Sequence, residues 1–398
     1  MEQAGQTRIV RAEDVAVMGV TEILRHIPHI YASYRKLVAF IKQQRPDIAI
    51  LIDFPDVNFR LAKHLARAGV PVVWFVSPQL WAWKRSRLRW VQQRVDKMLV
   101  IFPFEEEFYR ERGVDAEFVG HPLAELPLPT STREDYAAAN SLDPAKTWIA
   151  LLPGSRWKEI RANLPALHEL AMSDLINTSA SYTMIAESPD PKAGPDITLP
   201  TNPAALTHYE FLLPVASTID PASLRAYIHE LNAQHLKYFG PEASTLRLTL
   251  VPDAREALHH ARASVVASGT ATVQAAIIGN PFVVVYRVSS LTFALAKKLV
   301  QYPPELRARR DISGNLPISM VNLIAQQRLV PELLQANFTA ANVASALAPL
   351  LADTPERDRQ LTGLARIREK LLASTIPGTT AISRVADTIL DLLITPQP

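Results

Sequence analysis

Short apolar runs that alternate with amphipathic helical segments constrain the fold more than any other feature of this 398-residue chain. Runs that are apolar along their whole length are typical of parallel strands covered on both faces. The runs in the first third are residues 47–52 (DIAILI), 72–76, 97–102 and 117–119. The segments with helical periodicity between them are 31–44, 59–68 and 105–112. This order predicts an α/β fold with right-handed crossovers.

A second series of the same kind follows a linker rich in Pro, Ser and Thr at residues 123–147. Its predicted strands are 148–152, 246–251, 264–267 and 282–286. Residues 172–220 are rich in Pro, Ser, Thr and Ala and are predicted to be mostly an irregular insertion. Residues 340–393 are predicted to be helical. The sequence thus predicts three regions, 1–130, 131–338 and 339–398.

Composition excludes several classes of protein. Hydrophobic residues make up 48% and charged residues 20%, which is typical of a globular chain. The net charge of +3 is too small for a dedicated nucleic-acid-binding protein. Without cysteine, no disulfide and no thiolate site can form. No run reaches the roughly 20 apolar residues of a membrane span, and no signal peptide is recognisable. We therefore expect a cytoplasmic protein, soluble or peripheral at a membrane.

Ligands of parallel α/β sheets bind beyond the carboxyl ends of the strands, so the residues that follow each strand are candidate site residues. Asp53 follows the first run, within DFPDVN. A carboxylate there can be partly desolvated, which would make it a better general base. Asp56 and Asn58 come slightly later, where capping of the next helix is the more common role.

Two later strands are followed by small or hydroxyl-bearing residues that open a helix. Pro153-Gly154-Ser155-Arg156 follows the run 148–152, and Ser268-Gly269-Thr270 follows the run 264–267. Free N–H groups at a helix start attract phosphate, although an ordinary N-cap would use the same residue types. Neither loop is a GxxxxGK phosphate loop, and no GxGxxG follows the first strand. No His, Asp and Glu spacing indicates a metal site.

Residues 77–90 (SPQLWAWKRSRLRW) combine aromatic and basic side chains. Trp83, Arg87 and Trp90 have the spacing of one helical face. Such a face could pack against the sheet, or it could contact a phosphorylated amphiphile or an anionic bilayer.

Taken together, these motifs resemble the lipid-A-disaccharide synthase family, which is glycosyltransferase family 19. The matching pieces, in the family's order, are VAVMGVTEIL, IDFPDVN, VSPQLWAWKRSR, PFEEEFY, FVGHPL, LLPGSRWKEI, ASGTATVQAA, VVVYR, MVNLIA and VPELLQ. The resemblance implies a GT-B-like fold, in which two Rossmann-like domains face each other across a cleft. It implies inverting transfer of 2,3-diacylglucosamine from its UDP derivative to 2,3-diacylglucosamine 1-phosphate, without cofactor or metal. The product would be the β-1,6-linked disaccharide of lipid A, made at the cytoplasmic face of the inner membrane.

The resemblance also implies roles for individual residues. The region 1–130 would be the acceptor-side domain and 131–338 the nucleotide-sugar-binding domain. Asp53 would be the catalytic base. The nucleotide-sugar site would comprise Gly154, Ser155, Arg156, Ser268, Gly269, Thr270, Gln274, Asn322 and Gln335. The acceptor or membrane surface would comprise Trp81, Trp83, Arg85 and Arg87.

Two departures from the family pattern leave alternatives open. Gln274 stands where the family usually has Glu, so it cannot form a charge-assisted bond to a ribose hydroxyl. The family's first strand and Gly-rich GExSGD loop are expected to be missing. The alternatives are another GT-B-type UDP-sugar enzyme and a truncated, non-catalytic protein that binds a nucleotide or lipid.

Overall fold

The computed structural model describes residues 5, 7–10, 20–172, 208–240, 248–372 and 378–394. The strands are β1 (Ala49–Ile52), β2 (Val72–Phe75), β3 (Lys97–Val100), β4 (Ala116–Phe118), β5 (Thr147–Leu152), β6 (Tyr209–Pro214), β7 (Leu248–Val251), β8 (Ala263–Ala267), β9 (Phe282–Tyr286) and β10 (Glu332–Leu334). The helices of the first part are α1 (Val20–Gln44), α2 (Pro55–Arg67), α3 (Leu88–Arg94), α4 (Pro103–Arg110), α5 (Arg133–Asn140) and α6 (Trp157–Met172). The later helices are α7 (Pro221–Phe239), α8 (Ala254–His260), α9 (Thr270–Ile278), α10 (Ser290–Leu299), α11 (Met320–Ala325), α12 (Ala340–Leu351), α13 (Pro355–Leu371) and α14 (Ala381–Ile394).

The chain divides into two compact units. The first unit is Met1–Pro122 with Gln301–Glu305 and Leu371–Pro398, and the second is Leu123–Val300 with Leu306–Lys370. The division falls at residue 122, and the C-terminal helices are shared between the units. The acceptor-side and nucleotide-side roles of these units stay predictions.

The first unit contains a parallel sheet in the order β1-β2-β3-β4. This part of the predicted α/β fold is confirmed. The expectation that every strand is covered on both faces is wrong for β1. There Leu51 is buried, whereas Ile50 and Ile52 are each 44% exposed. The reason is positional: β1 is an edge strand of the described sheet, and α2 covers only one of its faces.

The second unit contains a six-stranded parallel sheet in the order β10-β9-β8-β5-β6-β7. β6 pairs with both β5 and β7, although it lies in the stretch predicted to be irregular. That prediction is wrong for residues 209–214, because a short apolar run was concealed by the Pro- and Ser-rich sequence around it. Residues 173–207 of the same stretch lie outside the described residues.

The core of the second unit lies between the sheet and two helices. Ile149, Val265 and Val283, from the three central strands, pack with Leu164 of α6 and Leu347 of α12. The predicted helicity of 340–393 is confirmed by α12, α13 and α14. Because all strands of each sheet are parallel, their carboxyl ends lie at one edge of that sheet, and the loops that follow them hold the candidate site residues of each unit.

Candidate active site

The loop after β1 holds Asp53 in a strained backbone conformation. Asp53 and Phe54 have φ values of 44° and 43°, in the left-handed region that disfavours residues with a Cβ. The Asp53 N–H donates to the Phe75 carbonyl at 3.0 Å. Such strain persists only where surrounding bonds over-determine it, and it concentrates at functional sites. The Asp53 carboxylate is exposed rather than partly buried as the sequence suggested, because β1 is an edge strand.

Asn58 supplies the bonds that hold this loop. Its buried amide Nδ2 donates to the carbonyls of Ile52 at 3.1 Å and of Asp53 at 2.6 Å. The expectation that Asp56 or Asn58 caps α2 is wrong, since Phe54 occupies the N-cap position without a side-chain bond. Asp56 lies in the first turn and pairs with Arg87 at 2.8 Å. Asn58 therefore fixes the backbone of Asp53, a role that the sequence pattern did not indicate.

A buried carboxylate organises the loop after β2. Glu105 Oε1 accepts hydrogen bonds from Ser77 Oγ at 2.8 Å and Trp81 Nε1 at 3.0 Å, and its Oε2 accepts from the Phe102 N–H at 3.2 Å. Burial raises the pKa of Glu105 to about 7, against the lowering effect of these bonds. Glu105 thus joins two motifs, SPQLWAW and PFEEEFY, that are distant in sequence.

The four residues predicted to form an acceptor or membrane surface have different environments. Trp81 is only 2% exposed and stacks edge-on against Phe104, which argues against a surface-contact role. Trp83 is exposed, with Lys84 Nζ 4.0 Å above its ring. Arg85 is exposed and donates to the carbonyls of Trp81 and Gln301.

The predicted helical face of Trp83, Arg87 and Trp90 is only partly formed. Lys84 has a left-handed conformation (φ 53°), and α3 begins at Leu88 after a 3₁₀ turn. Trp83 therefore precedes the helical segment. Arg87 and Trp90 do lie together, with the Arg87 guanidinium carbon 5.7 Å from the Trp90 ring centre.

The loop between β5 and α6 is occupied by a carboxylate of the chain itself. Gly154 has φ 129°, and a Cβ at this position would lie 2.5 Å from Glu159 Cβ. The Glu159 carboxylate accepts from the Ser155 N–H at 2.9 Å and pairs with Arg156 at 3.2 Å. The Glu159 carboxylate therefore occupies this helix start, and phosphate binding at the same loop stays a prediction. Sequence reasoning had not assigned Glu159 a role.

The loop between β8 and α9 leaves a helix start without a side-chain cap. Gly269 occupies the N-cap position with φ 146° and has no side chain that could cap the first turn. Ser268 is half-buried, Thr270 is exposed, and Gln274 is half-buried one turn later. This is the arrangement expected of an anion-binding helix start.

The side-chain amides of Asn322 and Gln335 are both committed to internal bonds. Asn322 is buried, accepts from the N–H groups of Leu329 and Val330, and donates to Val330 and Glu332. Gln335 accepts from the Val288 N–H and donates to the Val288 carbonyl, both at 2.8 Å. The Asn322 amide uses all four of its hydrogen-bonding positions in these bonds, so a nucleotide contact by its side chain would require breaking one of them. The Gln335 amide uses only one N–H and one lone pair of its oxygen in the bonds to Val288, so its predicted nucleotide contact stays a prediction.

Two findings concern metals and membranes. The described part of the chain has no cluster of three or more His, Cys, Asp or Glu side chains that could hold a metal ion. Among the helices described, none is both long and apolar enough to cross a bilayer. His121, the histidine of FVGHPL, is buried, and burial lowers its pKa to about 4.

The fold and these loops define the class: an α/β protein with two parallel-sheet units, which carries a strained carboxylate loop in one unit and glycine-containing loops before helices in the other. Known proteins specify the class further. The family model of lipid-A-disaccharide synthetase matches residues 1–191 and 223–376. A lipid-A-disaccharide synthase of Acidobacterium capsulatum is 50% identical over 397 residues, which cover 99% of this chain and 87% of that protein. One of Koribacter versatilis is 42% identical, with 98% and 88% covered.

Among solved structures, the chain is similar to an α,α-trehalose 6-phosphate synthase from Burkholderia multivorans. The TM-score is 0.47 at 13% identity, with 96% of this chain and 78% of that chain covered. The sequence matches are decisive: the chain belongs to the lipid-A-disaccharide synthetase family, hexosyltransferases of lipid A biosynthesis.

Proposed function

We propose that this chain transfers 2,3-diacylglucosamine from its UDP derivative to 2,3-diacylglucosamine 1-phosphate. The acceptor's 6-oxygen bonds to the anomeric carbon as the bond from that carbon to the diphosphate oxygen breaks. The electron pair leaves with UDP, and the acceptor's hydroxyl proton passes to a base. The observation that carries this proposal is the strained, braced loop that presents Asp53.

Asp53 is the base in this proposal. Among the described residues its carboxylate has no hydrogen-bond or ion-pair partner, so both oxygens are free to accept a proton. The two hydrogen bonds from Asn58 restrict the backbone at Asp53, and this restriction supports a fixed orientation of the Asp53 carboxylate toward the acceptor's hydroxyl group. General bases of this kind contribute about 10²–10⁴-fold to turnover.

The second unit holds the diphosphate in this proposal. The uncapped start of α9 offers N–H groups near Gly269 and Thr270, and Arg156 adds a guanidinium. To reach a diphosphate, Arg156 would exchange Glu159 for phosphate oxygens, with which a guanidinium can form paired hydrogen bonds. Gln274 would bond a ribose hydroxyl as a neutral partner. The role predicted for Asn322 becomes indirect, through the loop that it braces, whereas Gln335 would use its second N–H group for the nucleotide.

The acyl chains of both substrates suggest a peripheral site of action at the cytoplasmic face of the inner membrane. Exposed Trp83 and Arg85 support this for the first unit. In the second unit, α10 has no buried residue and exposes three leucines at helical spacing, with Lys297 and Lys298 beside them: Leu291, Leu295 and Leu299. Apolar stripes flanked by lysines favour an anionic bilayer surface. Co-sedimentation with phosphatidylglycerol vesicles measures this association, and its absence would contradict it.

The test of the proposed reaction is UDP release from UDP-2,3-diacylglucosamine, with and without the monosaccharide phosphate. We expect release only with the acceptor. Asp53→Asn is expected to lower turnover at least ~100-fold with UDP affinity retained. Asp47→Asn, an exposed residue before the same strand, is the matched control. Normal turnover in Asp53→Asn would refute the base assignment, and activity on water-soluble UDP-sugars alone would refute the substrate assignment.

A further inference from the structure

A basic groove lies between helices of the first unit, and its lining on α2 begins at Asp56, shortly after the strand-end loop of Asp53. Helices α1, α2 and α3 border a cavity of about 380 Å³. We define the basic groove by six of its lining residues: Arg60, Lys63, Arg67, Arg87, Trp90 and Arg94. A cavity of this size is within the range of small-molecule sites.

Helical periodicity accounts for the charge of the groove. Arg60, Lys63 and Arg67 are spaced i, i+3 and i+7 on α2, so they share one face. Arg87, Trp90 and Arg94 have the same spacing along α3 and the turn before it. The two faces border one cavity because α2 packs against α3.

The positive charge of the groove is barely compensated. Among the residues that the structure describes, Asp56 is the only acidic one that lines it, and Asp56 is already paired with Arg87 at 2.8 Å. Among the described residues, Arg60, Lys63 and Arg67 form no ion pair. Arg94 is held by the Phe59 carbonyl, to which its Nη1 donates at 3.2 Å. Several cationic side chains therefore share one cavity in which the described lining offers a single carboxylate, that of Asp56.

The effect of this crowding is seen at two titratable groups. Burial, followed by the charges of Lys42, Arg67 and Lys63, lowers the pKa of His64, whose Nε2 lies 3.0 Å from Tyr34 Oη. Burial, followed by the charges of Arg67 and Arg89, lowers the pKa of Arg94. A bound anion would relieve this repulsion, so the cavity favours negative charge.

We propose that the basic groove binds the phosphate group of a small anionic ligand. Guanidinium groups present paired N–H donors that match phosphate oxygens, and ammonium groups add point charge. The half-buried Trp90 ring offers an apolar wall for the group attached to the phosphate. The phosphate could come from a soluble phosphomonoester or from an anionic phospholipid headgroup. This inference goes beyond the proposed transfer reaction and does not rest on it.

Calorimetric titration of the full-length protein tests the proposal. The probes are glycerol 3-phosphate and a short-chain phosphatidylglycerol kept below its micelle concentration. The groove variant is Lys63→Glu/Arg67→Glu, and a second variant, Lys63→Gln/Arg67→Gln, covers the case in which charge reversal impairs folding. The control variant is Arg359→Glu/Arg366→Glu, which makes the same change of net charge at exposed positions of α13.

We expect at least one of the two probes to bind wild-type protein. Both groove variants should bind that probe at least ~10-fold more weakly, whereas the control variant should bind it with wild-type affinity. Binding of glycerol 3-phosphate identifies a soluble ligand, and binding of phosphatidylglycerol alone identifies a headgroup. Failure of wild-type protein to bind either probe would overturn the proposal, as would equal loss in the control variant. Asp53→Asn is expected to bind the probe normally, so failure of the groove and failure of the transfer reaction can be told apart.

Discussion

Glu105 makes the stability of the first unit depend on pH. Its carboxyl has a pKa raised from 4.5 to about 7 because it is completely buried. Between these values the folded protein binds a proton at Glu105 that the unfolded chain releases. The free energy of unfolding therefore falls as pH rises through this window. The difference between 4.5 and about 7 corresponds to roughly 3 kcal/mol.

Glu105→Gln removes this titration and preserves size. The glutamine oxygen can accept from Ser77 Oγ and Trp81 Nε1 as the carboxylate does. Its NH₂ group would face the Phe102 N–H, which now donates to Oε2, so one bond is lost at a cost of about 1–3 kcal/mol. We expect the variant to be less stable than wild type at low pH. The difference in the free energy of unfolding between variant and wild type should shift by roughly 3 kcal/mol in favour of the variant by about pH 8.

Urea unfolding from below pH 4.5 to about pH 8 measures this shift, and hydrogen exchange of amides in β3 and α4 assigns it to the first unit. Glu107→Gln, an exposed neighbour on the same helix, is the control and is expected to leave the pH profile unchanged. A difference between Glu105→Gln and wild type that stays constant across this range would refute the reasoning, because it would mean that the buried carboxyl does not titrate as described.

Two further outcomes are expected at the strand-end loops. Gly154→Ala places a methyl group 2.5 Å from Glu159 Cβ at φ 129°, so we expect about 1–3 kcal/mol of strain and weaker UDP binding by calorimetry. Unchanged UDP affinity would exclude this loop from the nucleotide site. Asn58→Ala removes both bonds to the loop that carries Asp53, so turnover should fall while UDP affinity is retained. An equal loss of turnover and of UDP affinity in Asn58→Ala would indicate general destabilisation.

The fold class could be read from the sequence because its signals are local. Continuous apolar runs such as 282–286 form a strand of the same bounds, since burial on both faces requires an apolar side chain at every position. The positions that follow each strand could also be anticipated, because strand direction places them at one edge of the sheet. The family motifs are also short contiguous sequences, and they indicated a glycosyl transfer reaction.

Contacts between distant residues could be decided only by the tertiary structure. Ser77 and Glu105 lie 28 positions apart, so the sequence does not reveal the hydrogen bond between them. The bond from the buried Trp81 Nε1 to the same carboxylate is equally invisible in the sequence. The left-handed backbone of Asp53 has no composition signal, because it is imposed by Asn58 and by the neighbouring strand. The basic charge of α2 was visible in the sequence, but the groove exists only because α3 packs beside it. The periodicity of the sequence determines which face of a helix carries charge, whereas tertiary packing determines which other residues that face contacts.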